Sequence, residues 1–197
     1  MKTVKVIVVA YQRPIRLRIM VDCFLVQVDP AWELYVIHDG PASQEIIDAM
    51  KLRNDPRIHF CQTEKVNGKW GHPNRASMLK QIKADPDDYI LITNDDNYYV
   101  PTYVKKVRQV MDQDAYGIIY YNTLHNYWDY TVHQSKLKEA YIDMGALIVR
   151  ADVAQKVGFI HDNISADGKY AEDCLAYCQV NGLKTIYMPN CTLFIHN

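Results

Sequence analysis

The chain has no apolar run approaching the roughly 20 residues that a spanning helix needs, so a membrane protein built on such helices is excluded. It carries no excess of one charge: 22 basic residues face 23 acidic ones, for a formal net charge of −1. Nothing global therefore draws it to nucleic acid or to an acidic lipid surface, and any such partner would need a local basic patch. Five cysteines, an odd number and widely scattered, make no disulfide framework. Cys174 and Cys178 are one helical turn apart and read as small core residues, because no second ligand pair has structural-zinc spacing. A reducing, cytoplasmic setting is expected. Internal repeats, low-complexity tracts and Pro/Gly/Ser-rich linkers are also missing, which leaves a single domain over 1–197 as the expectation.

What is present is an alternation of β-branched runs with helical patterns. Val4 to Val9 is continuously apolar, as in a strand covered on both faces, and reads as a first buried strand rather than a leader peptide. Leu17, Met20, Val21, Phe24 and Leu25 follow at helical spacing. Glu33 to His38 is a second strand ending in the turn Asp39-Gly40-Pro41, and Ser43 can cap the next helix. Arg57 to Cys61 is a short strand, 74–83 a helix, and Tyr89 to Thr93 the strand that delivers Asn94-Asp95-Asp96-Asn97. Pro101 opens a helix with Val104, Val107, Val110 and Met111 on one face. Beyond it, 116–121, 146–149 and 185–188 read as strands and 172–180 as a helix. Strand-helix alternation predicts an α/β sandwich with a mainly parallel sheet and right-handed crossovers. In such sheets ligands bind beyond the carboxyl ends of the strands, where Asp39 and the 94–97 cluster both fall.

Two adjacent carboxylates at a strand end repel each other, and a hard cation such as Mg²⁺ or Mn²⁺ relieves that repulsion while bridging substrate phosphates. An Asn/Asp turn explains the same four residues equally well from composition alone.

Six separated segments, in order, resemble glycosyltransferase family 2 and the wider GT-A fold of nucleotide-diphospho-sugar transferases. They are VIVVAYQRPIRLRIMVDCFLVQ, ELYVIHDGP, NRASMLKQI, ILITNDDNYYVP, DMGALIVRADVAQKVGF and AEDCLAYCQVNGLKTIYMP. The resemblance implies a metal-dependent, inverting transfer of a sugar from a UDP- or GDP-sugar to a hydroxyl of a glycan, lipid-linked or other acceptor. Residues 1–100 would form the nucleotide-binding half and 101–197 the acceptor and catalytic half. By position, Tyr11 and Asp39 would hold the base, Arg75 the base or phosphates, and Asp95 the ribose. Asp96 would bind Mn²⁺ or Mg²⁺, with His196 as a second metal ligand. Asp173 would be the general base and Glu172 its neighbour. Asn94 stands where the family's first "D-x-D" aspartate is usual, and His38 replaces the first aspartate of "D-D-G-S".

Other features are weighed beside these. Arg13, with Arg16 and Arg18, can steer an anionic donor or simply form a solvated helix face. Asp143 and Gly145 precede a strand and can face the donor sugar. Tyr120, Tyr121, Tyr127, Trp128 and Tyr130 make the densest aromatic stretch, suited to a carbohydrate or to packing. Residues 68–71 read as a mobile loop near the donor or an ordinary surface loop. With no elements after the last strand to enclose an acceptor, a second copy of the chain is one way to complete the site. A catalytically silent sugar-binding module stays open as an alternative. A nucleotidyltransferase fits less well, since AYQRPIR lacks a phosphate-binding glycine loop.

Overall fold

The structure is a computed structural model that describes residues 2–196. The first half alternates strictly: β1 (Val4–Ala10), α1 (Pro14–Leu25), β2 (Trp32–His38), α2 (Gln44–Leu52), β3 (Ile58–Gln62), α3 (His72–Gln81) and β4 (Tyr89–Asn94). Then follow β5 (Asn97–Tyr99), α4 (Tyr103–Met111), β6 (Ile118–His125), β7 (Val132–His133), β8 (Leu147–Arg150), α5 (Ala151–Val157), α6 (Ala166–Val180) and β9 (Thr185–His196). The described strands make one sheet in the order β3-β2-β1-β4-β8-β6-β9-β5, with β7 beside β6.

Strands β3, β2, β1 and β4 are parallel, as a strand-helix-strand chain requires. Beyond β4 the sheet becomes mixed: β8 is antiparallel to both β4 and β6, β9 runs parallel to β6, and β5 returns antiparallel to β9.

Every residue of β1 is buried, and its alternation divides the core. Val6 and Val8 face a cluster that includes Leu17, Phe24, Ile46 and Val104 from α1, α2 and α4. Ile7 and Val9 face Leu79, Ala154 and Cys174 from α3, α5 and α6. Helices therefore cover both faces of the sheet. Each fully buried Leu, Phe or Ile contributes roughly 1.5–3 kcal/mol against leaving it in water. Lys5, buried near the start of β1, is tolerated because Glu33 lies 2.8 Å and Asp88 3.8 Å from its Nζ. Four cysteines, Cys23, Cys61, Cys174 and Cys178, are free thiols, and the last two are buried in the core. Among the described residues no helix is long and apolar enough to cross a membrane.

Three departures from the sequence expectation bear on the site. Helix α6 starts at Ala166, six residues before the acidic pair that looked like its first turn. Strand β9 continues past Pro189 to His196, with irregular pairing to β6 near Asn122. Residues 69–71 form a short 3₁₀ turn rather than an open loop. For the site, register matters most: Ala10 lies beside His38, and Val9 beside Asn94. The residues that follow all three strands, Tyr11, Asp39 and Asp95, thus share one edge.

Candidate active site

Beyond that edge is a cavity of about 580 Å³. Apolar Val9, Ala10, Tyr11 and Val66 and polar Arg13, Arg75, Asn94 and Asp167 are among its lining residues. A second cavity of about 340 Å³ is lined by Thr123, His125, Ser135, Tyr141 and Asp143. Asp167 and Ile164 line both cavities.

Asp39 is buried beneath the first cavity and accepts three hydrogen bonds. Asn67 N–H (2.8 Å) and Asn74 Nδ2 (2.9 Å) donate to Oδ1, and Gly68 N–H (3.0 Å) donates to Oδ2. It therefore anchors the segment that enters the 68–71 turn. Neighbouring His38 places Nδ1 2.8 Å from the Gly40 carbonyl, and Gln12 N–H points at its Nε2 over 3.3 Å. This pairing assigns the proton to Nδ1.

The 68–71 turn is unusual backbone. Four consecutive residues have positive φ: Gly68 (65°), Lys69 (53°), Trp70 (52°) and Gly71 (79°). Two of them carry side chains, each at a cost of order 1 kcal/mol. A Cβ on Gly71 would lie 2.4 Å from Cγ1 of Val9, so the turn packs directly on the end of β1. Arg75, buried, holds the turn by donating to the Trp70 carbonyl (2.8 Å). It also approaches His72 Nδ1 (2.6 Å) and hydrogen-bonds the Asn94 amide oxygen. Burial, helped by the Arg75 charge, pushes His72 down to about 4, so its ring is neutral beside the guanidinium.

The acidic pair lies against α1. Tyr11 N–H donates to Asp95 Oδ2 (3.2 Å), and Arg13 is 2.8 Å from Oδ1. The latter contact is an ion pair without directed hydrogen-bond geometry, since Oδ1 has no hydrogen-bond donor aligned on it. Arg13 also pairs with Asp96 Oδ2, and Arg16 reaches the same atom at 3.4 Å. Asp96 Oδ1 is buried with no hydrogen-bond partner. Burial pushes Asp95 up to about 6 despite Arg13, a cost that an added positive charge would relieve.

Strand pairing adds a further group. The β6–β9 register sets His125 opposite His196, and their rings stack at 4.2 Å. His196 Nδ1 lies 3.0 Å from Asp143 Oδ2, while Asp143 Oδ1 accepts Gly145 N–H at 2.7 Å. Candidate ligand atoms of His125, Asp143 and His196 all lie within 4.8 Å of one another. Burial would raise Asp143, but His196 and the Gly145 amide outweigh it and leave the carboxyl below its ordinary range. The pairing is mutual: burial would lower His196, and Asp143 more than compensates. This carboxylate–imidazole set fits a divalent cation that accepts mixed oxygen and nitrogen ligands, and the unpartnered Asp96 oxygen, outside that cluster, is a further candidate ligand. Mn²⁺ suits imidazole better than Mg²⁺ does.

Asp167, in the first turn of α6, has an enclosed Oδ1 that lacks a hydrogen-bond partner. Burial pushes its carboxyl up to about 6, against the pull of Arg75 and with the push of Asp143. A carboxyl in that range, between two cavities, is suited to taking a proton near neutral pH.

The profile of glycosyl transferase family 2 matches residues 5–163, most of the chain. The chain belongs to that family. No curated protein sequence matches it. The fold is that of solved GT-A structures. A crystal structure of S. aureus TarS 1–349 has a TM-score of 0.79 at 17% identity, covering 100% of this chain and 60% of that one. TarS 1–349 in complex with UDP-GlcNAc gives 0.78 at 18%, over 99% and 58% of the two chains. The mannosyltransferase PcManGT from Pyrobaculum calidifontis, in complex with GDP-Man and Mn²⁺, gives 0.71 at 13%, over 98% and 56%. The chain thus spans about three fifths of these fragments.

Of the residues singled out in the sequence, the first cavity brings together Tyr11, Arg13, Asp39, Arg75 and Asn94. Asp95 and Asp96 sit beside it through Arg13, and Asp143 joins His196. Gly145 lines neither cavity, but its N–H donates to Asp143 Oδ1, and a Cβ there would come 2.7 Å from Phe194 and 2.9 Å from the Tyr99 hydroxyl. Asp173 lines neither cavity; it is 2.7 Å from His161 Nε2 with its side chain 40% exposed. Glu172 accepts the Glu139 N–H at 3.0 Å. In the aromatic stretch, Tyr121 is core, Tyr127 is exposed beside His125, and the side chain of Trp128 lies outside the described residues. Asp167 and His125 were not found from sequence.

Proposed function

We propose that this chain transfers a sugar from a nucleotide diphosphate donor to an acceptor hydroxyl, with inversion and with a divalent cation. The observation that carries this reading is Asp167, a half-buried carboxylate with an enclosed Oδ1, shared by the larger cavity and the smaller one. The larger cavity, lined by apolar side chains together with Arg13, Arg75 and Asn94, suits a nucleotide whose base and diphosphate differ in polarity. The smaller one suits an acceptor. TarS is solved with UDP-GlcNAc and PcManGT with GDP-Man and Mn²⁺, which supports a UDP- or GDP-sugar here.

Asp143, His196 and His125 would hold the cation, with Asp96 as a further candidate ligand, and the cation would neutralise charge developing on the leaving diphosphate. Arg13 and Arg16 guard Asp96 and can turn to donor phosphates, because both side chains are partly exposed. Asp167, rather than Asp173, is the general base: it accepts the acceptor's proton as the hydroxyl oxygen attacks the anomeric carbon. Attack from the Asp167 side opposite the departing diphosphate gives the inverted product.

The experiment is release of UDP or GDP from UDP-GlcNAc and GDP-Man in Mn²⁺ or EDTA, with and without sugar acceptors. Release that needs Mn²⁺ and collapses in Asp167→Asn is expected. Binding of the donors with no release under any condition would favour the silent module instead.

A further inference from the structure

Trp70 is out of place for an apolar side chain. Its indole is 64% exposed at the lip of the larger cavity. The backbone that puts it there is in the left-handed region for four residues in a row. Independent contacts enforce that conformation. Asp39 takes the amides of Asn67 and Gly68, and Arg75 takes the Trp70 carbonyl. Lys69 pairs with Asp162 at 2.8 Å, and Gly71 is pressed against Val9. A strained turn with five anchors, displaying a large aromatic face to solvent, is the arrangement expected when that face is covered by a ligand.

We infer that Trp70 is the aromatic wall on which the donor's nucleobase stacks, a reading that rests on the donor site proposed above. A pair of exposed aromatic side chains selects the base over the sugar. The turn packs through Gly71 on Val9, two residues before Tyr11. Tyr11, itself 41% exposed, lines the same cavity as Trp70, so a planar base can stack on aromatic side chains there. In this arrangement Asp39 and Arg75 act on the nucleotide as positioning residues: they hold the turn that holds the indole.

The test is titration of the full chain with UDP, GDP, UDP-GlcNAc and GDP-Man in Mn²⁺, by calorimetry and by tryptophan fluorescence. Wild type, Trp70→Phe and Trp70→Ala are compared, each checked for unchanged thermal unfolding. Stacking on an aromatic side chain predicts that Trp70→Ala weakens nucleotide binding about tenfold and Trp70→Phe no more than about threefold. Fluorescence of wild type should quench on binding, and that quench should vanish in Trp70→Phe while calorimetry still reports binding. Equal affinity of wild type and Trp70→Ala for UDP and GDP would overturn the inference. So would an effect confined to the nucleotide sugar and missing with the bare nucleotide, which would assign the indole to the sugar. Failure of wild type to bind either nucleotide would remove the donor site itself, a different result from binding that ignores Trp70.

Discussion

The two halves of the sheet treat their acidic residues differently. At the ends of the parallel strands, Asp39, Asp95 and Asp96 are surrounded by the chain's own donors and cations. Across the sheet, Asp167 keeps an enclosed oxygen with no hydrogen bond, and Asp143 shares a cluster with two imidazoles. Asp39 and Asp143 have both oxygens engaged and hold geometry, whereas Asp95, Asp96 and Asp167 each keep a buried Oδ1 without a hydrogen-bond partner. A fully engaged carboxylate orients its neighbours, whereas one with an open oxygen can exchange a proton or accept a ligand.

The comparison is sharpest along one helix. Asp167 and Asp173 are six residues apart on α6, about 240° around its axis, so they face different surroundings. Asp167→Asn is expected to lower the transfer rate by about 10²–10⁴ with little change in nucleotide affinity, whereas Asp173→Asn should stay within about twofold of wild type. Steady-state rates paired with calorimetry check this, and equal losses in the two variants would erase the distinction. Next in size, Asp96→Ala should cost on the order of a hundredfold in Mn²⁺-supported turnover. It should also weaken Mn²⁺ binding measured calorimetrically, since the buried Oδ1 is removed. Asp39→Asn is smaller: losing charge-assisted acceptance of two amides in the 68–71 approach should weaken UDP or GDP binding about tenfold without abolishing it. A fall of the same size in the rate at saturating donor would instead place Asp39 at the reaction.

Much of the first half was legible because its signals are local. An apolar run ending in acids or asparagine announces a buried strand and its carboxyl end, and strand-helix alternation then fixes the edge where Tyr11, Asp39 and Asp95 meet. Asp167 was hidden by its neighbours. Gly168 weakens any helical pattern around it, yet it is needed, since a Cβ there would lie 2.5 Å from the Glu139 Cα. Glu172-Asp173 imitates a helix start so well that the true first turn reads as loop. His125 was invisible for another reason. It meets His196 only through a parallel pairing of β6 with β9 that crosses two irregularities, and Pro189 reads as the end of that last strand. Local periodicity carries no information about such a register.

The smallest effect concerns stability rather than rate, and its sign separates Asp167 from an ordinary paired carboxylate. Its folded pKa is about 6, raised by burial above the usual 3.8. The folded state therefore holds the proton more tightly than the unfolded chain between about pH 4 and 6. Stability from this group is complete below about pH 4 and lost as pH rises through about 6, the reverse of an acid held in an ion pair. Asparagine imitates the protonated form at every pH. Asp167→Asn, measured in EDTA, should therefore gain on wild type as pH rises from 4 to 7, by about 2 kcal/mol at the upper end. Urea unfolding of both proteins across that range measures it. A difference that stays flat with pH would mean that Arg75 compensates the charge fully, leaving Asp167 a poor base at neutral pH.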